Sequence, residues 1–173
     1  VQSPWLFSFL QAPFSVRPWL NVRMPTFSFS DQEDNLLIGF FNGLSKVEIP
    51  YAYFDDGKVP KENLDAARVL VSKEYFNCFS CHKQGDKNPE GPQEGWAPDL
   101  TLARNRLNPN WIIKWLQDPQ KVQPGTKMPS FYPGGPDNIL GGKDDKQLEA
   151  LRDYLATLGR KGSAADGGRS ASR

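Results

Sequence analysis

Hydrophobic residues recur at the three- and four-residue intervals of an amphipathic helix in several stretches of this 173-residue chain. The pattern is clearest in residues 61–77 and 144–158. Their apolar positions are Leu64, Ala67, Val71 and Tyr75 in the first stretch and Leu148, Leu151, Leu155 and Leu158 in the second. The second stretch starts with Asp144 and Asp145, a residue type that caps helices. The pattern predicts one helix in each stretch, with an apolar face directed at a core.

A third helix is predicted between Asn108 and Pro119. Asn is a frequent N-cap, Pro109 suits the first helical turn, and Pro119 ends the helix. The residues on its apolar face are Trp111, Ile112, Trp115 and Leu116. At least one of the two tryptophans is expected to lie in the core.

The remaining segments carry the signals of loops. Residues 83–96 are rich in Gly, Pro, Asn and charged residues, and residues 160–173 form a low-complexity tail. The chain contains 15 Pro and 15 Gly, a composition that favours short helices joined by long loops. The composition therefore predicts a loop-rich fold.

Composition and charge give no indication of several classes of partner. With 21 basic and 20 acidic residues the net charge is +1, which gives no indication of binding to nucleic acid or to an anionic membrane surface. A hydrophobic content of 38% is enough to build a core. No apolar run reaches the roughly 18 residues of a membrane span, so no transmembrane segment is expected. The first residues lack the features of a signal peptide and do not begin with Met, so we interpret the start as processed or cut.

The cysteines and the histidine are concentrated in one short motif. Residues 78–82 read CFSCH, and Cys78, Cys81 and His82 are the two Cys and the single His of the sequence. A zinc site needs further Cys or His ligands, and the sequence has none. A thioredoxin-like redox pair needs a βαβ context, which the flanks lack. Covalent attachment of haem to both thiols, with His82 as the proximal iron ligand, is the favoured interpretation, and a disulfide beside a surface histidine is the alternative.

A second axial ligand is expected from Met128, because the single histidine is already used. Met128 lies in the segment QPGTKMPSFYPGG. Pro124, Pro129 and Pro133 stiffen this segment and prevent a helix, so that it can hold a thioether in place. The alternative for a single Met is core filling. Coordination by His and Met raises the reduction potential and leaves no open position on the iron, which favours electron transfer over oxidase or peroxidase activity.

The order of helix, CxxCH, loop, Trp-rich helix, PGTKMPSF and final amphipathic helix resembles a class I c-type cytochrome domain over about residues 58–159. The resemblance implies an all-α, loop-rich fold class and the cytochrome c fold, in which the helices near 62–76 and 144–158 cross and pack. It also implies a periplasmic or other extracytoplasmic location, since haem c is attached outside the cytoplasm in this family. Association with a membrane is expected to occur through partners.

The same resemblance assigns two further residues to the haem site. The family uses the carbonyl of a proline after the haem motif to fix the proximal histidine through Nδ1, and the matching residue is Pro98. Arg106 is a candidate partner of a haem propionate, because Arg pairs well with carboxylates. The alternative for Arg106 is a solvated surface residue.

The first 45 residues echo the later part of the chain. The matching pairs are WLFSFLQAP (5–13) with WIIKWLQDP (111–119), and MPTF (24–27) with MPSF (128–131). The capping sequence SDQE then precedes an amphipathic stretch that continues to Phe41. Residues 1–45 therefore resemble the back half of a second cytochrome c domain that lacks its CxxCH half.

The expected organisation has four parts. These are a partial cytochrome c-like segment (1–45), a linker (46–60), a cytochrome c domain (61–159) and a low-complexity tail (160–173). Either the natural chain is longer and holds a second haem with Met24 as ligand, or the first half has decayed to a structural or docking segment. The intact MPTF motif favours the first explanation. Apolar residues such as Trp5, Phe9 and Trp19 would need covering, which indicates a subunit of a larger assembly.

The expected function is one-electron transfer by one covalently bound haem c. The near-neutral charge favours an electron-relay subunit or domain of a respiratory or photosynthetic complex over a mobile carrier with a basic docking face. The domain itself is expected to be an electron carrier and not an enzyme. The expected partners are redox proteins, in particular other subunits of a membrane-associated complex. One alternative is a haem-based sensor or small haem enzyme in which a ligand displaces Met128. Another is an interaction module in which the haem is secondary.

Overall fold

The computed structural model describes residues 1–46, Phe54 and residues 59–159. Within them lie the helices α1 (Ser3–Gln11), α2 (Asp31–Leu44), α3 (Lys61–Leu70), α4 (Ala103–Arg106), α5 (Pro109–Gln117), α6 (Pro119–Val122) and α7 (Asp144–Leu158). Short 3₁₀ turns occur at Cys78–Ser80, Gln93–Gly95, Leu100–Leu102 and Leu140–Gly142. These described residues contain no β-strand, and the predicted all-α class is confirmed.

The core is built around α7. This helix packs most extensively on α3 and also contacts α4 and α5, so the two helices that the resemblance pairs do pack together. The buried residues of the main cluster are Ala67, Leu70, Val71, Tyr132, Ile139, Leu148, Ala150 and Leu151. A smaller cluster joins α4, α5 and α7 through Ala103, Ile112 and Leu155. The predicted apolar face of α7 is thus buried, except that Leu158 is half-buried.

The helix α5 follows its predicted boundaries. The side chain of Asn108 accepts hydrogen bonds from the backbone N–H groups of Asn110 and Trp111, at 2.9 and 3.3 Å. The helix ends at Gln117, and Pro119 then begins the short helix α6. Local capping and proline chemistry therefore set both ends of α5.

The helix α3 is shorter than the helix predicted over residues 61–77. It ends at Leu70, after which the chain turns back and the N–H of Phe76 donates to the carbonyl of Leu70 at 3.0 Å. Asn77 has a φ of 48°, a left-handed conformation that Asn adopts more readily than most residues. The turn replaces the last helical turns and places the CxxCH motif close to the end of α3.

The start of α7 differs from the predicted capping by Asp. Lys143 occupies the N-cap position and makes no side-chain capping bond. The carboxylate of Asp144, in the first turn, instead accepts hydrogen bonds from the backbone N–H groups of Gly134 and Gly135, at 3.3 and 3.1 Å. Asp144 therefore ties the loop after Met128 to the helix rather than capping the helix itself.

The helices α1 and α2 form an N-terminal hairpin. The predicted cap of α2 is a full capping box, in which the Ser30 side chain accepts from the N–H of Glu33 and the Glu33 carboxylate accepts from the N–H of Ser30 at 2.8 Å. These hydrogen bonds hold the pKa of Glu33 below its usual value, the bond to the Ser30 backbone having the largest effect. The box explains why α2 begins at Asp31.

The hairpin is attached to the following domain through Gln2. The backbone N–H of Gln2 donates to the carbonyl of Arg106 at 2.8 Å. Its side-chain amide donates to the carbonyls of Arg104 and Leu107, at 2.7 Å each. Gln2 therefore satisfies carbonyl groups at the C-terminal end of α4, which would otherwise lack intrahelical partners.

Two parts of the predicted organisation fall wholly or largely outside the described residues. These are the linker over 46–60 and the tail over 160–173. Among the helices that are described, none has both the length and the apolar character required to cross a membrane.

Candidate haem-binding site

The two thiols lie on a single turn of 3₁₀ helix. The turn Cys78–Ser80 is followed by Cys81, whose N–H donates to the carbonyl of Cys78 at 3.3 Å. The N–H of His82 donates to the same carbonyl at 3.0 Å. Side chains three residues apart eclipse in a 3₁₀ helix, an arrangement that favours placing both thiols on the same side of the turn. Cys81 is exposed and Cys78 is partly buried, and the two sulfur atoms are not joined as a disulfide.

The environment of Cys78 does not suit a redox thiol. Burial, partly offset by its own backbone hydrogen bond, raises the pKa of Cys78 to about 11. A thioredoxin-like cysteine needs a lowered pKa to react as a thiolate. The structure therefore gives no support to the thioredoxin-like interpretation of the motif.

The imidazole of His82 is held by a backbone carbonyl. Its Nδ1 lies 2.8 Å from the carbonyl oxygen of Pro98. Because a carbonyl can only accept, Nδ1 carries the proton and Nε2 carries the lone pair that can bind a metal. Burial lowers the pKa of His82, while the bond to Pro98 and the charge of Asp99 oppose this effect.

The segment that carries Pro98 is fixed against the haem motif by backbone hydrogen bonds. The N–H of Ala97 donates to the carbonyl of Cys81 at 2.8 Å, and the N–H of Leu100 donates to the carbonyl of Lys83 at 2.9 Å. The carboxylate of Asp99 accepts from the backbone of Gly85 and from Thr101. The position of the Pro98 carbonyl is thus set by bonds on both sides of it.

Met128 contacts a tryptophan of α5. The indole Nε1 of Trp115 donates to Sδ of Met128 at 2.9 Å. The ring of Trp115 stacks on Trp111, with centroids 5.2 Å apart and an interplanar angle of 16°. The side chain of Gln120 donates to the carbonyl of Met128 at 3.3 Å. The thioether is therefore positioned by α5 as well as by its proline-rich segment.

Aromatic contacts join the Met128 segment to the CxxCH segment. Phe76 lies just before Cys78, and Phe131 lies just after Met128. Their ring centroids are 4.5 Å apart, and Phe76 also meets Tyr132 edge to face at 5.6 Å. Cys78 and Phe131 both pack against the main core cluster. Packing thus brings the two halves of the predicted site to the same core.

Arg106 is half-buried at the boundary with the N-terminal hairpin, unlike a solvated surface residue. Its guanidinium lies over the ring of Trp5, 5.4 Å from the centroid. Its Nε is buried and has no hydrogen-bond partner within the described residues, as is also true of Nε1 of Trp19. Burial, and then the nearby charge of Arg17, lowers the pKa of Arg106. An unpaired buried donor on a cation suits an anionic partner such as a carboxylate.

Met24 lies apart from this set, in the N-terminal segment between α1 and α2. Its side chain is 39% exposed.

The donor set fits a covalently attached haem better than a bare metal ion. In the described part of the chain, no group of three or more His, Cys, Asp or Glu side chains is placed to hold a metal ion. The site offers two thiols on one turn, an imidazole whose Nε2 carries a lone pair, and a thioether. Two thiols match the two attachment points of haem c, and imidazole with thioether is an established ligand pair for its iron.

Two features of the site were not predicted. The contact between Trp115 and Met128 could not be predicted from the sequence around either residue. The turn through Pro119 and Pro124 brings the two side chains together. The position of Arg106 beside Trp5 depends on docking of the hairpin, for which the sequence carried no signal beyond exposed aromatic residues.

Comparison with known proteins gives a consistent result. A 92-residue region is 32% identical to cytochrome c oxidase subunit 2 of Bacillus subtilis (strain 168), covering 47% of this chain and 23% of that protein. A 104-residue region is 32% identical to cytochrome c oxidase subunit 2 of Bacillus sp. (strain PS3), covering 51% of this chain and 26% of that protein. The chain thus spans about a quarter of the length of these relatives. No solved structure matches significantly.

The family model "Cytochrome c" matches residues 68–159, which is more than half of the chain. The matched range runs from within α3 to the end of α7, and the positions of Cys78, Pro98 and Met128 lie inside it. Membership of this family implies electron transfer through haem. The chain therefore belongs to the cytochrome c family.

Proposed function

We propose that residues 61–159 form a one-haem electron-relay domain, with haem c attached to Cys78 and Cys81 and iron bound by His82 and Met128. The observation that carries the proposal is the 2.8 Å contact between Nδ1 of His82 and the Pro98 carbonyl. It leaves Nε2 as the metal-binding atom, directly after two thiols that share one turn. When bound, the haem supplies reversible one-electron chemistry at its iron.

On the proximal side, the protein fixes the ligand before any change of oxidation state. The Pro98 carbonyl orients the ring of His82 and increases the basicity of Nε2. The hydrogen bonds at Ala97, Leu100 and Asp99 hold that carbonyl in place. A ligand that does not reorient keeps the structural change between the two oxidation states small, which favours rapid electron transfer.

On the distal side, Met128 is the proposed sixth ligand. A thioether favours ferrous iron and raises the reduction potential. The N–H of Trp115 directs the positive end of its dipole at the sulfur, which favours the less positively charged ferrous state further. With His82 and Met128 both holding the iron, the haem would have no position left for a substrate, so we expect the domain to act as a carrier and not as an enzyme in its own right.

Arg106 is proposed to pair with a carboxylate of the haem. Its buried Nε without a partner among the described residues and its lowered pKa both indicate a cation that lacks a counter-ion. A carboxylate at this position would satisfy the donor and compensate the charge.

The surroundings in which the domain works follow from its relatives and its charge. Both relatives named above are subunits of cytochrome c oxidase. The net charge of +1 shows no excess of basic residues of the kind found in mobile carriers with basic docking faces. We therefore propose a relay subunit or domain of a membrane-associated respiratory complex, located in the periplasm or an equivalent extracytoplasmic space.

Substitution of Met128 tests the proposed function. Met128→Ala should abolish the weak near-infrared absorption of thioether-bound ferric iron, lower the reduction potential and open the reduced iron to carbon monoxide. Lys127→Ala, at the neighbouring exposed position, is the control and should leave all three unchanged. Ready binding of carbon monoxide by the unaltered reduced protein would contradict the proposal and would favour a sensor or a haem enzyme instead.

A further inference from the structure

The N-terminal hairpin repeats a helix pair of the cytochrome c domain. The helices α1 and α5 each contain nine residues, carry a proline in the first turn and end with Gln. The residue after each helix has a similar non-helical backbone, with φ −140° and ψ 78° at Ala12 and φ −154° and ψ 88° at Asp118. The helix α1 packs on α2 as α5 packs on α7. The sequence echo is therefore accompanied by the same local structure.

A stacked aromatic pair recurs at the same place in each unit. Trp5 stacks on Phe9 with centroids 4.8 Å apart and an interplanar angle of 12°. Trp111 stacks on Trp115 at 5.2 Å and 16°, and Trp115 contacts the thioether of Met128. In the hairpin the corresponding methionine is Met24.

The buried positions of α2 and α7 are in the same register. When their first residues are aligned, Asp34 corresponds to Gln147 and Ile38 to Leu151. Asp34 and Gln147 are both 0% exposed, while Ile38 and Leu151 are 7% and 3% exposed. The faces of α2 can therefore be assigned from the faces of α7.

In the cytochrome c domain, α3 covers one face of α7. On this face Ala150 is 0% exposed. The carboxylate of Asp153 accepts a hydrogen bond from Asn63 of α3 at 3.1 Å, and Tyr154 packs against the cluster that contains Ala67 and Leu70 of α3. This contact joins the helix before the CxxCH motif to the final helix.

The corresponding face of α2 is exposed and apolar. We call it the α2 outer face; it comprises Leu36, Leu37, Phe40, Phe41 and Leu44. The exposed fractions are 72% for Leu36, 60% for Phe40, 44% for Phe41 and 66% for Leu44. Leu37, Phe40 and Phe41 of α2 correspond to Ala150, Asp153 and Tyr154 of α7. Large apolar residues at these positions indicate a face that packs against another element.

The outer face continues an interface that already exists. Phe41 is one helical turn from Ile38, which is buried in the hairpin of α1 and α2. In the described part of the chain, α1 is the helix that packs on α2 through several residues. A second helix on the α2 outer face would give α2 a helix on each side, as α7 has α5 and α3.

We propose that the α2 outer face packs against a helix that leads into a second CxxCH motif, and that Met24 is the axial ligand of the haem attached there. The proposal rests on the proposed function, since it transfers the roles of α3 and Met128 to the repeated unit. In the cytochrome c domain the front half immediately precedes α5 in sequence. The same order places the missing front half on this polypeptide, directly ahead of α1.

The first test counts the haems of the natural full-length polypeptide. Proteolysis and mass spectrometry should find two haem-bearing peptides, one containing Cys78 and Cys81 and one containing a CxxCH motif upstream of the hairpin. One haem per polypeptide, or a second haem that belongs to a separate subunit, would overturn the proposal. Absence of haem from the peptide with Cys78 and Cys81 would instead overturn the proposed function, so the two failures are distinguishable.

Substitutions in the same polypeptide test the ligand and the face. Met24→Ala and Met128→Ala should each remove about half of the thioether–iron absorption, and the double variant should remove all of it. Phe40→Lys should disturb the Met24 haem selectively, whereas Val122→Lys, at a position that is 42% exposed, should have no effect. An unchanged spectrum in Met24→Ala overturns the ligand assignment, and an unchanged spectrum in Phe40→Lys overturns the docking.

Discussion

The side chain of Met128 is held in place partly by a residue on another element. Its proline-rich segment fixes the backbone, but the indole N–H that reaches Sδ comes from Trp115 of α5. Trp115 is itself oriented by stacking on Trp111. Under the proposed ligation, the reduction potential should depend on α5 as well as on the segment that carries Met128.

Replacing Trp115 by Phe tests this dependence, because it removes the donor and keeps an aromatic ring. We expect the reduction potential to fall by about 40 mV, the one-electron equivalent of a hydrogen bond worth about 1 kcal/mol. The N–H dipole no longer favours the ferrous state in the variant. Potentiometric titration with optical detection measures the shift.

Trp111→Phe is the matched control for this prediction. Trp111 belongs to the stack but packs against the smaller core cluster, so its replacement should move the potential much less while costing some stability. Equal shifts in the two variants would show that packing, rather than the donor, sets the potential.

The rare residue types made the candidate ligands visible in the sequence. With two Cys and one His, the CFSCH motif has few interpretations, and Met128 stands out by its proline-rich setting. Their roles as attachment points and iron ligands stay predictions. Arg106 was also a candidate, but its stacking on Trp5 was not foreseen, because hydrogen bonds from Gln2, far away in sequence, bring the two elements together.

At the scale of elements, the contact of α3 with α7 supports the haem motif. Leu70 is the last residue of α3 and is 0% exposed, whereas its neighbour Val69 is 41% exposed. The chain turns from Leu70 directly into the segment that carries Cys78. Loss of packing at Leu70 should therefore affect the whole domain.

Leu70→Ala should destabilise the protein by about 2–5 kcal/mol, the usual cost of a cavity in a well-packed core. Denaturant unfolding followed by circular dichroism measures the change. Val69→Ala should cost less than about 1 kcal/mol, because its side chain is partly exposed. If the two variants lost the same stability, Leu70 would not have the central packing role assigned to it.

The helices were predicted with unequal success for physical reasons. The bounds of α7 match residues 144–158, because a long stretch with regular apolar periodicity identifies a helix clearly. The helix predicted over residues 61–77 was wrong in its second half, because the apolar spacing continues through a turn. In that turn Asn77 has a left-handed backbone conformation, which the apolar periodicity of the sequence does not detect.

At the scale of the whole molecule, the sequence indicated two related units but not how they meet. The structure joins them through Gln2, through Arg106 over Trp5, and through Trp19, whose ring lies 5.5 Å from that of Trp96. These contacts involve single residues from segments distant in sequence, so no local sequence pattern predicts them. Docking of the hairpin beside the cytochrome c domain would bring the proposed second haem close to the first, so that electrons could pass between them.

The central claim is that Cys78 and Cys81 carry a haem whose iron is bound by His82. The most direct measurement is the intact mass of the natively purified polypeptide, followed by the mass of its CFSCH peptide and a reduced-minus-oxidised spectrum of the same sample. The account predicts a peptide heavier by one haem and a c-type spectrum. A peptide with free or disulfide-linked cysteines, and no haem absorption, would contradict it.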